Sequence, residues 1–297
     1  MRLVSYNIQY GTGKDGNVDL ARIADEIGDA NVIALQEVER FNAETGMIDQ
    51  VAELAALFPD HYLCYGPGLD LDASFRDEQG KLVNRRRQFG NMLLSRTPII
   101  SSRNHLLPRF GLVEQLTLQR SMLEGVIECE LGLIRVYSVH LGHSSAEERE
   151  GQISYLLDVL RNAPDQGGAW SGKKAPAHWQ VDGTGEPVMP RPAIFMGDFN
   201  LTPDFKEYEL LAGRWDVWYG RTTPMNGLVD AWVGCGNDSD AENGVTCPHE
   251  RGPMRIDYAF VSTELAPALK SMRVGLNAVG SDHQPIYIDM KLPSPSE

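Results

Sequence analysis

The stretch RPAIFMGDFNLTPD, residues 191–204, contains an apolar run that stops at a glycine and is followed at once by polar side chains. The run at 194–196, bounded by glycine and proline, predicts an inner strand of a sheet that is covered on both faces. Asp198 and Asn200 follow it, and in an extended chain they point to one side while Phe199 points to the other. Asp and Asn are also common turn residues, so this segment alone fits either a functional site or an ordinary turn.

Composition limits the classes of protein that this chain represents. With 297 residues, 42% of them hydrophobic, the chain is long enough for one large domain or two ordinary ones. No stretch demands a boundary, so we predict one domain over residues 1–292 and a disordered tail, PSPSE, at 293–297. The formal net charge of −14 argues against strong non-specific binding to nucleic acid or to anionic membranes.

Targeting signals are not evident in the sequence. The N-terminal residues MRLVSYNIQYG lack the pattern of a secretory signal, and no apolar stretch of 18 residues predicts a transmembrane segment. The four cysteines lie far apart and predict reduced thiols. The sequence therefore predicts a soluble, cytoplasmic protein, and it does not indicate an oligomeric state.

The order of predicted elements indicates the fold class. A strand with Asn7 near its end, an amphipathic helix and a buried strand that ends at Glu37 open the chain. In the middle, SMLEGVIECE and LIRVYSVHLGH predict a hairpin, and RIDYAFVS and QPIYIDMKL predict two final strands. Many strands with fewer helices imply an α/β protein in which two sheets pack together with helices outside.

Polar side chains recur at the predicted strand ends. They are Asn7, Glu37, His140, Asp198 with Asn200, and Asp282 with His283. Asp257 lies in an otherwise apolar strand, where a buried carboxylate must be paired, protonated or bound to a metal. Individually each residue also fits a structural role, such as a turn cap, a surface ion pair or a core histidine.

The ordered set of motifs resembles one superfamily. SYNIQYG, ALQEVE, GNMLLSRTPI, VYSVHLGH, FMGDFN, RIDYAFVS and GSDHQPIYI occur in the order typical of the endonuclease/exonuclease/phosphatase superfamily of magnesium-dependent phosphoesterases. The resemblance extends from Asn7 to Ile288. It implies a four-layered α/β sandwich, with two mixed β-sheets packed face to face, helices on the outside and the site at one edge.

The resemblance also implies a metal site and a base. Glu37 would bind the divalent ion, Mg²⁺ or alternatively Mn²⁺, with help from Asn7 and Asp282 directly or through water. Asp198 would orient or deprotonate the attacking water. Oxygen ligands of this kind suit Mg²⁺, which keeps several of its waters.

Transition-state stabilisation is implied for the remaining motif residues. Asn200 would contact the phosphoryl oxygens, and His283, held by Asp257, would stabilise the pentacovalent transition state. His140 occupies a position at which members of the superfamily place another phosphate-contacting or proton-handling residue. Donors that are already in place for the developing charge are what an in-line displacement requires.

Substrate choice is less constrained by the sequence. The loop at 163–192 is expected to cover the site mouth, with Trp170 and Trp179 as substrate-binding residues and further aromatic contacts from Trp215, Trp218 and Tyr219. Basic runs are short, so we expect hydrolysis of a small or lipid-like phosphate ester by attack of an activated water. The alternatives are a DNA or RNA nuclease of the same superfamily and a non-catalytic binding protein that retains the fold.

Overall fold

The structure, a computed structural model, describes residues 1–114, 116–170, 188–239, 241–249 and 252–292. The predicted tail at 293–297 and Trp179 lie outside these residues. The α-helices of the described ranges are α1 (Leu20–Ile27), α2 (Gln50–Leu57), α3 (Ala146–Gln166), α4 (Lys206–Ala212) and α5 (Ala231–Gly234). Within those ranges no helix combines the length and the apolar character that crossing a membrane requires.

Strands outnumber these helices in the described ranges. In chain order they are β1 (Arg2–Asn7), β2 (Val32–Arg40), β3 (Tyr62–Asp72), β4 (Phe75–Arg76), β5 (Leu82–Val83), β6 (Arg86–Ser95), β7 (Ile99–Leu106), β8 (Ser121–Cys129), β9 (Gly132–His140), β10 (Ala193–Asp198), β11 (Arg214–Asp216), β12 (Gly220–Thr222), β13 (Leu228–Asp230), β14 (Cys247–His249), β15 (Gly252–Met254), β16 (Asp257–Ser262), β17 (Leu269–Val274) and β18 (Ile286–Met290). The predicted hairpin in the middle of the chain is confirmed as β8 and β9, which are joined at Glu130 and Leu131.

Two six-stranded sheets contain most of these strands. The first sheet has the order β17-β18-β1-β2-β6-β3, and the second has the order β13-β16-β10-β9-β8-β7. Both sheets are mixed, because β1 runs parallel to β2 and β10 runs parallel to β9 while the other neighbours are antiparallel. The short pairs β4–β5, β11–β12 and β14–β15 form separate hairpins.

The sheets pack face to face, and the helices cover their outer faces. Side chains such as Leu3 and Ala34 of the first sheet share one buried cluster with Val136 and Met196 of the second. Helices α1 and α2 pack on the outer face of the first sheet, and α3 and α4 pack on that of the second. The predicted four-layered α/β sandwich is confirmed.

Strand register places the quoted stretch at the centre of the second sheet. Asp198, the last residue of β10, pairs with His140 of β9 on one side and with Asp257 of β16 on the other. Just before it, Gly197 has a φ of +150°, and a Cβ atom there would collide with the carbonyl oxygen of Val139. The close approach of β9 and β10 therefore requires glycine at this position.

Two expectations about local conformation are wrong. Glu37 does not end its strand, because β2 continues to Arg40 and its register with β6 shifts between Leu35 and Val38. Glu37 itself has a φ of +60°, and Asn200 has a φ of +51° where an extended chain was expected. Non-glycine residues with positive φ are uncommon, and such strain is often found at functional sites.

Candidate active site

Asp198 lies at the centre of a hydrogen-bond network at the carboxyl ends of β9 and β10. Its Oδ1 accepts the backbone N–H of Asn200 at 2.9 Å. Its Oδ2 lies 3.1 Å from Nδ2 of Asn7, 3.2 Å from Nδ2 of Asn200 and 3.3 Å from Nε2 of His140. Burial opposes ionisation, but these donors and the nearby histidines hold the pKa of Asp198 well below its ordinary value.

Asn7 connects Asp198 to Glu37 across the two sheets. Its Nδ2 lies 3.3 Å from Oε1 of Glu37 and 3.1 Å from Oδ2 of Asp198. Burial raises the pKa of Glu37 to about 7, and the neighbouring Asp198 charge adds to this, whereas Arg120 and His283 oppose it. Two carboxylates thus share one amide donor in a water-poor environment, where their mutual repulsion calls for a cation.

Asp257 and His283 form the expected pair. His283 Nδ1 lies 2.8 Å from Oδ2 of Asp257, and both side chains are buried. Burial disfavours a charged imidazole, but the carboxylates of Asp257 and Asp198 outweigh it and raise the pKa of His283 well above its ordinary value. The Nε2 of His283 lies 3.9 Å from Oδ2 of Asp198. The imidazolium therefore faces the same carboxylate as His140 does.

The segment before His283 is tied to the end of β1. Ser281 Oγ donates to the carbonyl oxygen of Asn7 at 2.7 Å and accepts the backbone N–H of His283 at 3.1 Å. Asp282 lies between them, is exposed, and has its backbone N–H 3.3 Å from Oε1 of Gln9. Asp282 is close to Asn7 in space, but it does not line the cavity described next.

These side chains border an open cavity of about 460 Å³. It is lined by Tyr10, Glu37, Glu39, Glu44, Phe89, Leu116, Leu118, Arg120, His140, His143, Asp198, Asn200 and His283. Arg120 and His143 were not predicted as site residues from the sequence. Arg120 comes directly before β8, and His143 is three residues after His140, so their closeness to a polar strand end was the available signal.

Arg120 joins two of the histidines. Its guanidinium nitrogens lie 3.1 Å from Nδ1 of His140 and 3.0 Å from Nδ1 of His143, and the group lies over the ring of Phe89. Burial and the guanidinium charge together lower the pKa of His140 to about 4. His140 is therefore neutral near pH 7, unlike His283.

Metal binding was tested against the donor chemistry. In the described part of the chain no three His, Cys, Asp or Glu side chains are arranged to enclose a metal ion. The buried Glu37 and Asp198 carboxylates with neighbouring amides instead fit a hard ion that keeps most of its own waters, as Mg²⁺ does. The residues present are thus compatible with an open divalent-metal site at Glu37.

Trp170, one of the two tryptophans expected to bind substrate, does not line the cavity. Trp170 follows the C-terminus of α3, where Arg103 donates to the carbonyl oxygens of Gly167 and Gly168. The loop ends at the start of β10, five residues before Asp198, or about 17 Å of extended chain away. Trp170 therefore does not line the site, and the role of Trp179 lies outside the described residues.

Three further aromatic residues occupy another remote position. Trp215, Trp218 and Tyr219 belong to the β11–β12 hairpin and are exposed. The hairpin precedes β13, whose Leu228 pairs with Ser262 at the end of β16 that is farthest from Asp257. None of the three rings lines the cavity, so their expected contacts with substrate stay a prediction.

The sandwich and its polar cavity define a class of α/β protein with carboxylates, amides and histidines gathered at the strand ends of both sheets. A model described as Endonuclease/Exonuclease/phosphatase family matches residues 4–283. The chain therefore belongs to this family, whose members are hydrolases that act on phosphate esters. No curated protein matches the chain.

Solved structures share the fold. An endonuclease/exonuclease/phosphatase from Beutenbergia cavernae is 22% identical, with a TM-score of 0.62 over 99% of this chain and 72% of that one. A mannosyl-6-phosphatase from Bacteroides thetaiotaomicron is 17% identical, with a TM-score of 0.58 over 98% and 99% of the two chains. A humanized D. rerio TDP2 is 17% identical, with a TM-score of 0.58 over 97% of each chain. At these identities the likeness establishes the fold alone.

Proposed function

We propose that this protein is a metal-dependent phosphoesterase that hydrolyses a small or lipid-like phosphate ester by in-line attack of an activated water. The observation that carries the proposal is the ionised Asp198 carboxylate, fixed by Asn7, Asn200 and His140 at the wall of an open cavity. A fixed, ionised carboxylate orients the attacking water, and its lowered pKa favours this role over that of a strong base.

The neighbouring side chains have complementary roles in this proposal. Glu37, with Asn7 and with Asp282 directly or through water, would hold Mg²⁺ or Mn²⁺, which when bound neutralises phosphate charge and polarises water. Asn200 would contact the phosphoryl oxygens once its Nδ2, which now lies 3.1 Å from the carbonyl oxygen of Leu141 and 3.2 Å from Oδ2 of Asp198, exchanges one of these partners. His283, kept charged by Asp257, stabilises the negative charge that develops in the transition state. Because Asp257 already orients the His283 ring, that donor needs little rearrangement during the reaction.

Support for a lipid-like substrate comes from an apolar rim at the cavity mouth. We define the apolar rim as Leu112, Val113, Leu116 and Leu118, of which Leu112 and Val113 border His143 beside the cavity. Leu116 and Leu118 line the cavity, and Val113 and Leu116 are 100% and 82% exposed. Exposed apolar side chains that are contiguous with a polar site are typical of surfaces that bind apolar groups. The acidic chain, at −14, favours an uncharged or zwitterionic surface over an anionic one.

The test is hydrolysis by the purified chain with Mg²⁺, with Mn²⁺ and with EDTA. Substrates would be bis-p-nitrophenyl phosphate, p-nitrophenyl phosphate, sugar phosphates, sphingomyelin and abasic duplex DNA. We expect EDTA-sensitive release from at least one small or lipid ester, lost in D198N, which keeps the shape of the side chain. Efficient cleavage of DNA alone would support the nuclease alternative, and the lack of any turnover would support a binding protein.

A further inference from the structure

Arg120 contacts two histidines at once from a buried position. Its side chain belongs to a residue that is only 8% exposed, and its two terminal nitrogens lie 3.1 Å from His140 Nδ1 and 3.0 Å from His143 Nδ1. Phe89 covers the guanidinium, with 5.9 Å between Arg120 Cζ and the ring centroid. The planar group is therefore held against both imidazoles.

This contact fixes where each imidazole carries its proton. A guanidinium has only N–H donors and no acceptor, so each Nδ1 that it contacts must be the unprotonated acceptor. A neutral imidazole with an unprotonated Nδ1 carries its proton on Nε2. Arg120 thus imposes the same tautomer on His140 and His143.

The imposed tautomer gives His140 a defined direction of hydrogen bonding. Its Nε2–H donates to Oδ2 of Asp198 at 3.3 Å. Arg120 therefore acts on Asp198 through His140, as a positioning residue two contacts away. His140 in this arrangement is a donor that orients the carboxylate and is not a proton acceptor.

His143 is left with a free donor beside the cavity. Its side chain makes no hydrogen bond other than that to Arg120 within the described ranges, and it lines the cavity with Asp198 and Asn200. We propose that Arg120 fixes His143 as a neutral Nε2–H donor that binds a phosphoryl or ester oxygen of the substrate. This step rests on the proposed phosphoesterase function, whereas the tautomer assignment does not.

The tautomer is tested without any substrate or metal. Long-range ¹H–¹⁵N NMR spectra of the uniformly labelled full-length protein near pH 7 distinguish protonated from unprotonated ring nitrogens. Signals of His140 and His143 are assigned by their loss in H140Q and H143Q. We expect a protonated Nε2 and an unprotonated Nδ1 in both rings. A protonated Nδ1 in either ring overturns the assignment, and this wild-type measurement needs no Arg120 variant to fold.

Variants of Arg120 test whether the guanidinium is the cause. R120K keeps the charge, but a single ammonium does not match two ring nitrogens as a planar fork does. R120M removes both the charge and the donors. We expect mixed tautomers for at least one of the two histidines in R120K and for both in R120M. Unchanged spectra in both variants would show that Arg120 does not set the tautomers.

The role of His143 is tested by a matched pair of substitutions on the most rapidly hydrolysed ester. Glutamine places its amide near the former Nε2 and asparagine near the former Nδ1. We expect H143N to lower kcat/KM by about 10-fold, the value of one hydrogen bond to a charged oxygen, and H143Q to restore most of it. Equal kinetics of H143Q and H143N overturn the proposed donor. A wild type without turnover would contradict the phosphoesterase function, while the NMR result would stand independently.

Discussion

The Nδ2 of Asn7 lies 3.1 Å from Oδ2 of Asp198, although 191 positions separate the two residues in the chain. Asn7 ends β1 of the first sheet, and Asp198 ends β10 of the second. The same Nδ2 lies 3.3 Å from Oε1 of Glu37. The candidate site is thus built across the interface of the two sheets, and its geometry depends on how they pack.

Substitution of Glu37 tests the proposed metal site. We expect E37Q to weaken Mg²⁺ binding by more than about 10-fold, because the principal charged ligand is lost. Titration calorimetry measures the affinity, and circular dichroism checks that the fold is intact. E53Q, which removes one exposed carboxylate from the first turn of α2, is the matched control. Equal Mg²⁺ affinity in E37Q and E53Q would contradict the assignment.

The Asp257 and His283 pair should behave as one unit. Each partner supports the protonation and orientation of the other through a 2.8 Å hydrogen bond, so loss of either removes the function of both. We expect the kcat of D257N with H283Q combined to be close to that of the slower single variant. Steady-state kinetics of the wild type, D257N, H283Q and the double variant give the double-mutant cycle. If the loss of kcat in the double variant equals the product of the two single losses, the residues act independently.

The apolar rim should matter for aggregated lipid substrates and little for soluble esters. Each buried Leu or Val contributes about 1.5–3 kcal/mol, so we expect V113S with L116S to lower kcat/KM on a zwitterionic phospholipid by roughly 10-fold or more. The control is V217S with L210S, a second exposed Val and Leu pair, in the β11–β12 hairpin loop and on α4. Similar losses of kcat/KM on the phospholipid in both double variants would contradict a specific role of the apolar rim.

Trp170 provides a second test of which surface residues bind the substrate. The structure places Trp170 away from the cavity, at the end of α3. We therefore expect W170A to leave kcat/KM on lipid and soluble esters within about 2-fold of the wild type, less than the value of one hydrogen bond to a charged group. A selective loss on the natural ester would restore the role that the sequence predicted for this loop.

Buried Glu124 should make stability depend on pH. Burial opposes its charge, but the His105 ring, with Nε2 3.5 Å away, and the hydrogen bond from Tyr137 outweigh it and lower the pKa of Glu124 below the ordinary value of 4.5. A lowered folded-state pKa gives stability that is present above the unfolded value and is lost as pH falls through the folded one. We expect E124Q to cost about 1–3 kcal/mol at pH 7 and to flatten the fall of Tm below pH 4.5. Parallel Tm curves for E124Q and the wild type would contradict this.

Much of the framework was predictable because it follows from local patterns. Apolar runs such as residues 194–196 and the hairpin at Leu131 predicted the strands that the structure has. The same reasoning wrongly predicted that β2 ends at Glu37. A strand that bulges there and continues to Arg40 has the same apolar pattern as a strand that ends at Glu37. The bulge depends on the pairing of β2 with β6, which distant residues provide.

The sequence by itself determined the layers of the sandwich and the need of Asp257 for a partner, because periodicity and the cost of burying a lone carboxylate act locally. The order of the motifs indicated the family, and through that resemblance His283 as the partner of Asp257. Only the tertiary structure decided which side chains border the cavity. It brought Arg120 and His143 beside Asp198 and kept Trp170 away, because β9 and β10 run parallel and the helix between them must return to the opposite end of the sheet.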